Sequence, residues 1–369
     1  MLRFILAPMV LLLMAAVPLK PAGLPVAPPA PPIIIAHRGA SAERPEHTLA
    51  AYERAIEQGA DFIEPDLVAT RDHQLVARHE NEISGTTDVA SRPEFAARKA
   101  TKTIDGETFT GWFTEDFTLA ELKTLRARER LPLLRPGNTS FDGQYEIPTL
   151  AEIIALAKTA TARSGRTIGI YPETKHPSYF RGLGLPLEPV LLAALAQAGW
   201  TTAAAPVFIQ SFEVDNLKAL KGETCVRLIQ LMGATGKSAD GHDYAALSTA
   251  EGLKDVASYA AGIGPDKAMI IPRRPDGRLG APTSLVADAH AAGLQVHPYT
   301  FRPENYFLPE GLKSGSDPRE PGDVDAEIRA YLATGIDGLF SDSTAAAIRA
   351  LAPPASTAPS ADRANPARN

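Results

Sequence analysis

Carboxylates and imidazoles in this chain stand where short apolar runs end. Glu64 and Asp66 are two apart inside the stretch from Phe62-Ile63 to Leu67-Val68. On a strand, side chains at i and i+2 leave the same face. The two carboxylates then lie side by side, and buried like charges are costly unless a cation sits between them. Glu173, in Tyr171-Pro172-Glu173-Thr174-Lys175, adds a third oxygen donor. All-oxygen ligation suits a hard divalent cation such as Ca2+ or Mg2+. His37 and His79 also follow apolar runs, and Arg38 and Gly39 come directly after His37. Cleaving a phosphodiester needs a base for the nucleophile and an acid for the leaving alkoxide, and histidine can serve as either near neutral pH. Arg38 offers a planar fork of donors for phosphate oxygens, and Gly39 permits close backbone approach. Taken singly, a Glu-x-Asp pair is ordinarily a surface feature and a lone strand-end histidine a structural one. The apolar flanks of the pair, and two histidines with an arginine beside one, argue for a site.

Those residues have to be brought together by the elements around them. Strand candidates cover residues 33–36, 61–68, 75–77, 167–171, 207–209, 226–230, 294–297 and 338–340. Between them lie helical patterns, the first over 48–58 with Leu49, Tyr52, Ala55 and Ile56 on one face and Gly59 as its stop. Another, over 253–261, is read as ending at Gly262-Ile263-Gly264. Alternating strand and helix predicts a parallel sheet with helices outside, and eight units predict an α/β fold closed as a TIM-type (β/α)8 barrel. Pro65, lacking an N–H, marks a bulge or strand end between Glu64 and Asp66. Residues 83–147 break the alternation and are read as an insertion at the active-site end.

The chain has 369 residues, 44% hydrophobic and 22% charged, with a net charge of −6 and no basic block, which argues against a nucleic-acid partner. One arginine and an apolar run open the chain, so residues 1–22 read as a signal peptide, too short to span a membrane comfortably. Export to the periplasm or the medium is expected, with no stable membrane insertion after cleavage. Residues 23–32 read as a proline-rich linker, 33–351 as the barrel and 352–369 as a disordered tail. The oligomeric state is left open. Cys225, the lone cysteine, reads as a small buried residue that begins a strand.

The motifs His37-Arg38-Gly39-Ala40, Pro45-Glu46-His47-Thr48, Glu64-Pro65-Asp66 and His79, with Tyr171 to Lys175 and Gln210-Ser211-Phe212, resemble the glycerophosphodiester phosphodiesterase family. Gly262 to Pro265 and Val296 to Thr300 look like its bacterial periplasmic branch. The resemblance covers roughly residues 33–342. It implies hydrolysis of glycerophosphodiesters to sn-glycerol 3-phosphate and an alcohol. It also implies a divalent cation on Glu64, Asp66 and Glu173, Ca2+ ahead of Mg2+. His37 and His79 match the acid/base pair, Arg38 the phosphate contact, Glu46 an acidic supporting residue and Lys175 a residue near the phosphate. The mechanism usually proposed for the family passes through a cyclic phosphate; the resemblance leaves open which histidine is base and which acid, and we take His37 as first-step base and His79 as acid, with the roles exchanged in the second step. Glu80 departs from the family's usual Asp at that position.

Phe212, Tyr299 and Trp112 are candidates to line the pocket, and the first two complete the expected substrate-binding set. His47 reads equally as an exposed helix-opening residue or a functional one, His73 as solvent-facing, and His176, His242 and His290 as surface or structural. Competing readings are a lysophospholipase D-like enzyme, which would want an apolar rim on the insertion near Phe109, Trp112 and Phe113, and a non-catalytic barrel binding phosphorylated solutes. An amide-cleaving metallohydrolase would want histidine ligands on its strands instead.

Overall fold

The computed structural model describes residues 31–352. The expected leader, most of the linker and the expected tail lie outside the described residues. In chain order the strands are β1 (Ile33–His37), β2 (Phe62–Glu64), β3 (Asp66–Ala69), β4 (Leu75–Ala77), β5 (Ala100–Ile104), β6 (Glu107–Gly111), β7 (Gly169–Ile170) and β8 (Glu173–Thr174). They continue as β9 (Phe208–Ser211), β10 (Arg227–Met232), β11 (Gly262–Pro265), β12 (Gln295–Val296) and β13 (Gly338–Ser341).

Parallel pairing runs β13-β1-β2-β7 on one side and β12-β11-β10-β9-β8-β3 on the other. The two arcs join into a closed (β/α)8 barrel. Pro65 interrupts the second wall strand between β2 and β3, and the bond from Glu173 N to Pro65 O (2.9 Å) carries the ladder across the break. Asp337 N donates to Val296 O and Phe340 N to Pro298 O, each at 3.0 Å, closing the other seam. Register then sets the site: His37 stands opposite Glu64, Asp66 opposite Glu173, and Glu173 opposite Gln210.

Two expectations need correcting. Residues 75–77 form β4, but it runs antiparallel to β3 as a hairpin and takes no place in the barrel wall. The missing wall strand is β11, where Gly262 and Gly264 had read as a helix stop. Their role is lateral packing: a Cβ on Gly262 would lie 2.7 Å from Gln295 O, and one on Gly264 2.6 Å from the Leu231 side chain. Cys225 is exposed and precedes β10, which begins at Arg227.

The barrel interior is a compact cluster of Ile35, Phe62, Tyr171, Phe208, Ile229 and Phe340, and a larger apolar layer separates wall from helices. The first helix, Leu49–Gln58, starts at Thr48, whose hydroxyl accepts from Ala51 N, and ends at Gly59 in the left-handed region. It buries Ala51, Tyr52, Ala55 and Ile56, while Leu49 is exposed instead of joining that face. Trp112 packs inside residues 83–147, donating from its indole to Phe95 O at 2.7 Å, and does not line the pocket. Phe113 is fully buried beside it.

Gly39 is held at φ +88°, and a Cβ there would meet the Ala51 backbone at 2.6 Å. Gly39→Ala combines backbone strain with a clash that no side chain can relieve, so a loss of about 2–4 kcal/mol is expected. The midpoint of urea unfolding checks this, and an unchanged midpoint would contradict the packing described.

Candidate active site

The strand ends converge at one mouth, as a parallel barrel requires. The side-chain oxygens of Glu64, Asp66 and Glu173, all nearly fully buried, come within 4.8 Å of one another. Burial comes first in raising the Glu64 carboxyl well above its usual range, with Asp66 next. Burial likewise lifts Glu173 to about 8. Burial would raise Asp66 too, but the His47 hydrogen bond and the Lys175 charge hold it well below the usual carboxylate range.

Asp66 Oδ1 is buried with no hydrogen-bond partner. An acceptor left bare among three crowded carboxylates fits a divalent cation, and so does the oxygen-only donor set. Gln210 Nε2 donates to Glu64 Oε1 at 3.1 Å, and Lys175 Nζ lies 3.0 Å from Glu173 Oε1, so each flanking carboxylate is oriented from behind.

Arg38 sits over this trio in the left-handed region (φ 60°), its backbone N–H donating to Glu64 at 2.8 Å. One terminal nitrogen donates to Glu46 at 3.0 Å, and Nε lies 3.4 Å from Asp66. Its other terminal nitrogen has no protein acceptor among the described residues, which leaves a donor for a phosphate oxygen. Glu46 holds Arg38 through one oxygen and Arg130 through the other (2.8 Å), so it acts by placing two guanidiniums. Lys175 borders a neighbouring cavity, with Glu173 shared between the two, and stands 5.8 Å from the Phe212 ring.

The two histidines are oriented differently. His37 Nδ1 bonds to Asp342 Oδ1 at 2.6 Å, which leaves Nε2 free as an acceptor when the ring is neutral. Burial, then Arg38, pulls the His37 pKa down to about 4. Asp342 is itself fixed by Arg135 at 2.5 Å and Arg302 at 3.2 Å. His79 bonds through Nδ1 to Glu80 at 2.5 Å, and burial followed by Arg38 and Lys175 holds it well below its ordinary value. Both imidazoles therefore rest neutral at pH 7.

Both histidines, Arg38, the three carboxylates, Phe212 and Tyr299 line one cavity of about 280 Å³. Sequence reasoning missed several partners. His47, for which an exposed position and a functional one weighed equally, is fully buried and bonds Asp66 at 2.9 Å and the Tyr52 hydroxyl at 2.8 Å, because a left-handed backbone (φ 53°) turns it inward. Asp342 ends the last strand and was visible on that ground alone. Arg130 and Arg135 come from residues 83–147, where no spacing marks them. His297 is wholly buried and bonds Tyr171 at 2.8 Å, a structural role. His176 pairs with Asp105 at 2.5 Å and is half-buried near Glu80.

A closed barrel bearing a buried carboxylate cluster, an arginine and a pair of imidazoles at its mouth has the make-up of a phosphoester hydrolase. The chain belongs to the glycerophosphoryl diester phosphodiesterase family, whose sequence model matches residues 37–346. A glycerophosphodiester phosphodiesterase of Arabidopsis thaliana is 39% identical over 328 residues, covering 85% of this chain and 84% of its own length. One from Haemophilus influenzae is 30% identical over 339 residues, covering 84% and 87%. The likeness therefore extends to a plant as well as to bacteria. Among solved structures, an Oleispira antarctica phosphodiesterase in complex with the product sn-glycerol-3-phosphate superposes with a TM-score of 0.56 at 21% identity, covering 87% of this chain and 97% of that one. An Agrobacterium tumefaciens glycerophosphodiester phosphodiesterase gives 0.54 at 19% identity, covering 86% and 99%. At these identities the superpositions speak for the fold.

His47→Phe keeps an aromatic ring but removes the hydrogen bonds to Asp66 and Tyr52. Outer partners of this kind are worth roughly 10- to 100-fold in cation affinity, so a loss of that size is expected by titration calorimetry with Ca2+ or Mg2+. Unaltered affinity would show that the His47 bond does not support the cation site.

Proposed function

We propose that this chain hydrolyses glycerophosphodiesters to sn-glycerol 3-phosphate and an alcohol, at a divalent cation held by Glu64, Asp66 and Glu173. The observation that carries the reading is the convergence of those three buried carboxylates in one cavity with Arg38, His37 and His79. The bound cation would supply charge neutralisation at the phosphoryl oxygens. The donor set favours a hard cation, and Ca2+ is taken ahead of Mg2+ because the cluster is built wholly from carboxylates.

The chain's own residues account for binding and proton movement. Arg38 grips a phosphoryl oxygen, and Phe212 and Tyr299 pack the carbon face of glycerol. His37, its free Nε2 set by Asp342, takes the proton from the glycerol 2-hydroxyl as that oxygen attacks phosphorus. His79, protonated once the anionic diester is bound, gives its proton to the departing alkoxide. The products of this step are the alcohol and a cyclic glycerol phosphate. In the second step His79 takes a proton from water, whose oxygen bonds to phosphorus. His37 returns its proton to the 2-hydroxyl as the ring opens, and both imidazoles are restored.

A second reading has one specific observation in its favour. Phe113 and Trp112 are buried and make no apolar rim, but Leu133 is 86% exposed and Tyr306 63% exposed, side by side in a depression with Leu131 and Leu134 next to the mouth. Such an edge suits a lysophospholipid-type substrate.

The deciding assay follows glycerol 3-phosphate release from glycerophosphoglycerol and glycerophosphocholine, with Ca2+, Mg2+ or a chelator. Release abolished by chelation and by Glu64→Ala is expected. Cleavage of lysophospholipids alone would install the second reading, and inactivity on both with cation bound would favour the solute-binding barrel. For the histidines, His79→Ala should lose on the order of 10²- to 10⁴-fold on these diesters but far less on a p-nitrophenyl diester, whose leaving group needs no proton. His37→Ala should lose equally on both. Equal losses in the two variants on the nitrophenyl substrate would refute the assignment.

A further inference from the structure

The departing alcohol has few places to go. Its oxygen takes a proton from an imidazole, so the rest of it must occupy space that the histidines border. In-line displacement also puts the attacking and leaving oxygens on opposite sides of phosphorus. Each of two adjoining cavities touches both histidines. The first, which holds the carboxylates, has Phe212, Tyr299 and Phe340 in its walls and suits the glycerol moiety. The second, of about 250 Å³, shares His37, Arg38, His79 and Arg302 with it and extends past Arg130 and Phe307. The polar cavity beside Lys175 touches neither histidine.

The lining of the second cavity carries four guanidiniums, Arg38, Arg130, Arg135 and Arg302, against two carboxylates, Glu46 and Asp342, and Glu304 behind it pairs with Arg135 at 2.6 Å. Both carboxylates are already engaged. Glu46 spends its oxygens on Arg38 and Arg130, at 3.0 and 2.8 Å. Asp342 spends one on His37 and the other on Arg135 and Arg302. Arg130 and Arg302 each make a single protein hydrogen bond, through Nε, so their terminal nitrogens have no hydrogen-bond acceptor among the described residues. Glu80, 3.8 Å from Arg130, is drawn toward His79. The one phenyl ring in the lining, Phe307, has the Arg302 guanidinium over it at 4.7 Å, so its face is not open to an ammonium group.

We propose that this cavity is the leaving-group subsite, and that it selects alcohols bearing an anionic group, a carboxylate or a further phosphate, over alcohols bearing a quaternary ammonium. The inference rests on the phosphodiesterase reading above. Arg130 and Arg302 are its specificity-determining residues.

The test uses the full-length protein with its divalent cation and three substrates that share the glycerol phosphate half. These are bis(glycerophospho)glycerol, whose leaving alcohol is anionic, glycerophosphoglycerol, whose alcohol is neutral, and glycerophosphocholine. The expected order of kcat/KM is anionic, neutral, cationic, with a spread of roughly tenfold or more at low ionic strength that shrinks as salt is added. Arg130→Gln and Arg302→Gln should each narrow the anionic-to-cationic ratio. A ratio measured within one variant is insensitive to general loss of activity or stability. Equal kcat/KM for the three substrates, or a ratio unmoved in both variants, would overturn the subsite while leaving the phosphodiesterase reading intact. Glycerol 3-phosphate released from none of them would overturn that reading and the subsite together.

Discussion

Three carboxylates are forced into contact at the barrel mouth, away from water, and much of the surrounding structure answers that one electrostatic strain. Adjacent buried negative charges are unfavourable without compensation. Compensation arrives from every side: Arg38 over Asp66, Lys175 against Glu173, Gln210 against Glu64, His47 beneath Asp66. Each of these is held in turn by another partner, as Glu46 holds Arg38 and Tyr52 holds His47. A divalent cation would complete this balance, since Asp66 Oδ1 is left without a protein donor.

Pro65 is what makes the crowding possible. Without an N–H it cannot take part in the wall ladder as a donor, and the strand divides there into β2 and β3. Glu64 stands in register with His37 of β1 and Asp66 with Glu173 of β8. One strand thereby lends two ligands to two neighbours.

Much of this was legible in the sequence because it depends on local pattern. Apolar runs ending in His, Glu or Asp, separated by amphipathic helices, announce a parallel barrel and its mouth. Glu64, Asp66, Glu173, His37 and His79 could be placed from those run ends and from the family resemblance. Gly262 to Pro265 misled because glycine's usual meaning as a helix stop outweighed its other use, the close approach of strands. Residues 75–77 misled because a three-residue apolar run carries no sign of its direction. His47 was opaque since its burial follows from a left-handed backbone that histidine seldom adopts. Arg130 and Arg135 reach the site from an irregular segment, where position along the chain says little about position in space.

The two imidazoles stand on foundations of different kinds. His37 ends a wall strand and is tied to the last strand through Asp342, so it belongs to the barrel. His79 follows a hairpin that lies outside the wall, is a quarter exposed, and leans on Glu80 near Arg130. The three carboxylates and one imidazole thus stand on the wall itself, while the other imidazole follows the hairpin beside it, next to the cavity proposed for the departing group. A barrel divided this way can exchange its outer loops, and with them the range of alcohols it releases, without disturbing the geometry that holds phosphorus. Diversification of such enzymes is therefore expected to run through the segment after β4, with the wall kept as common stock.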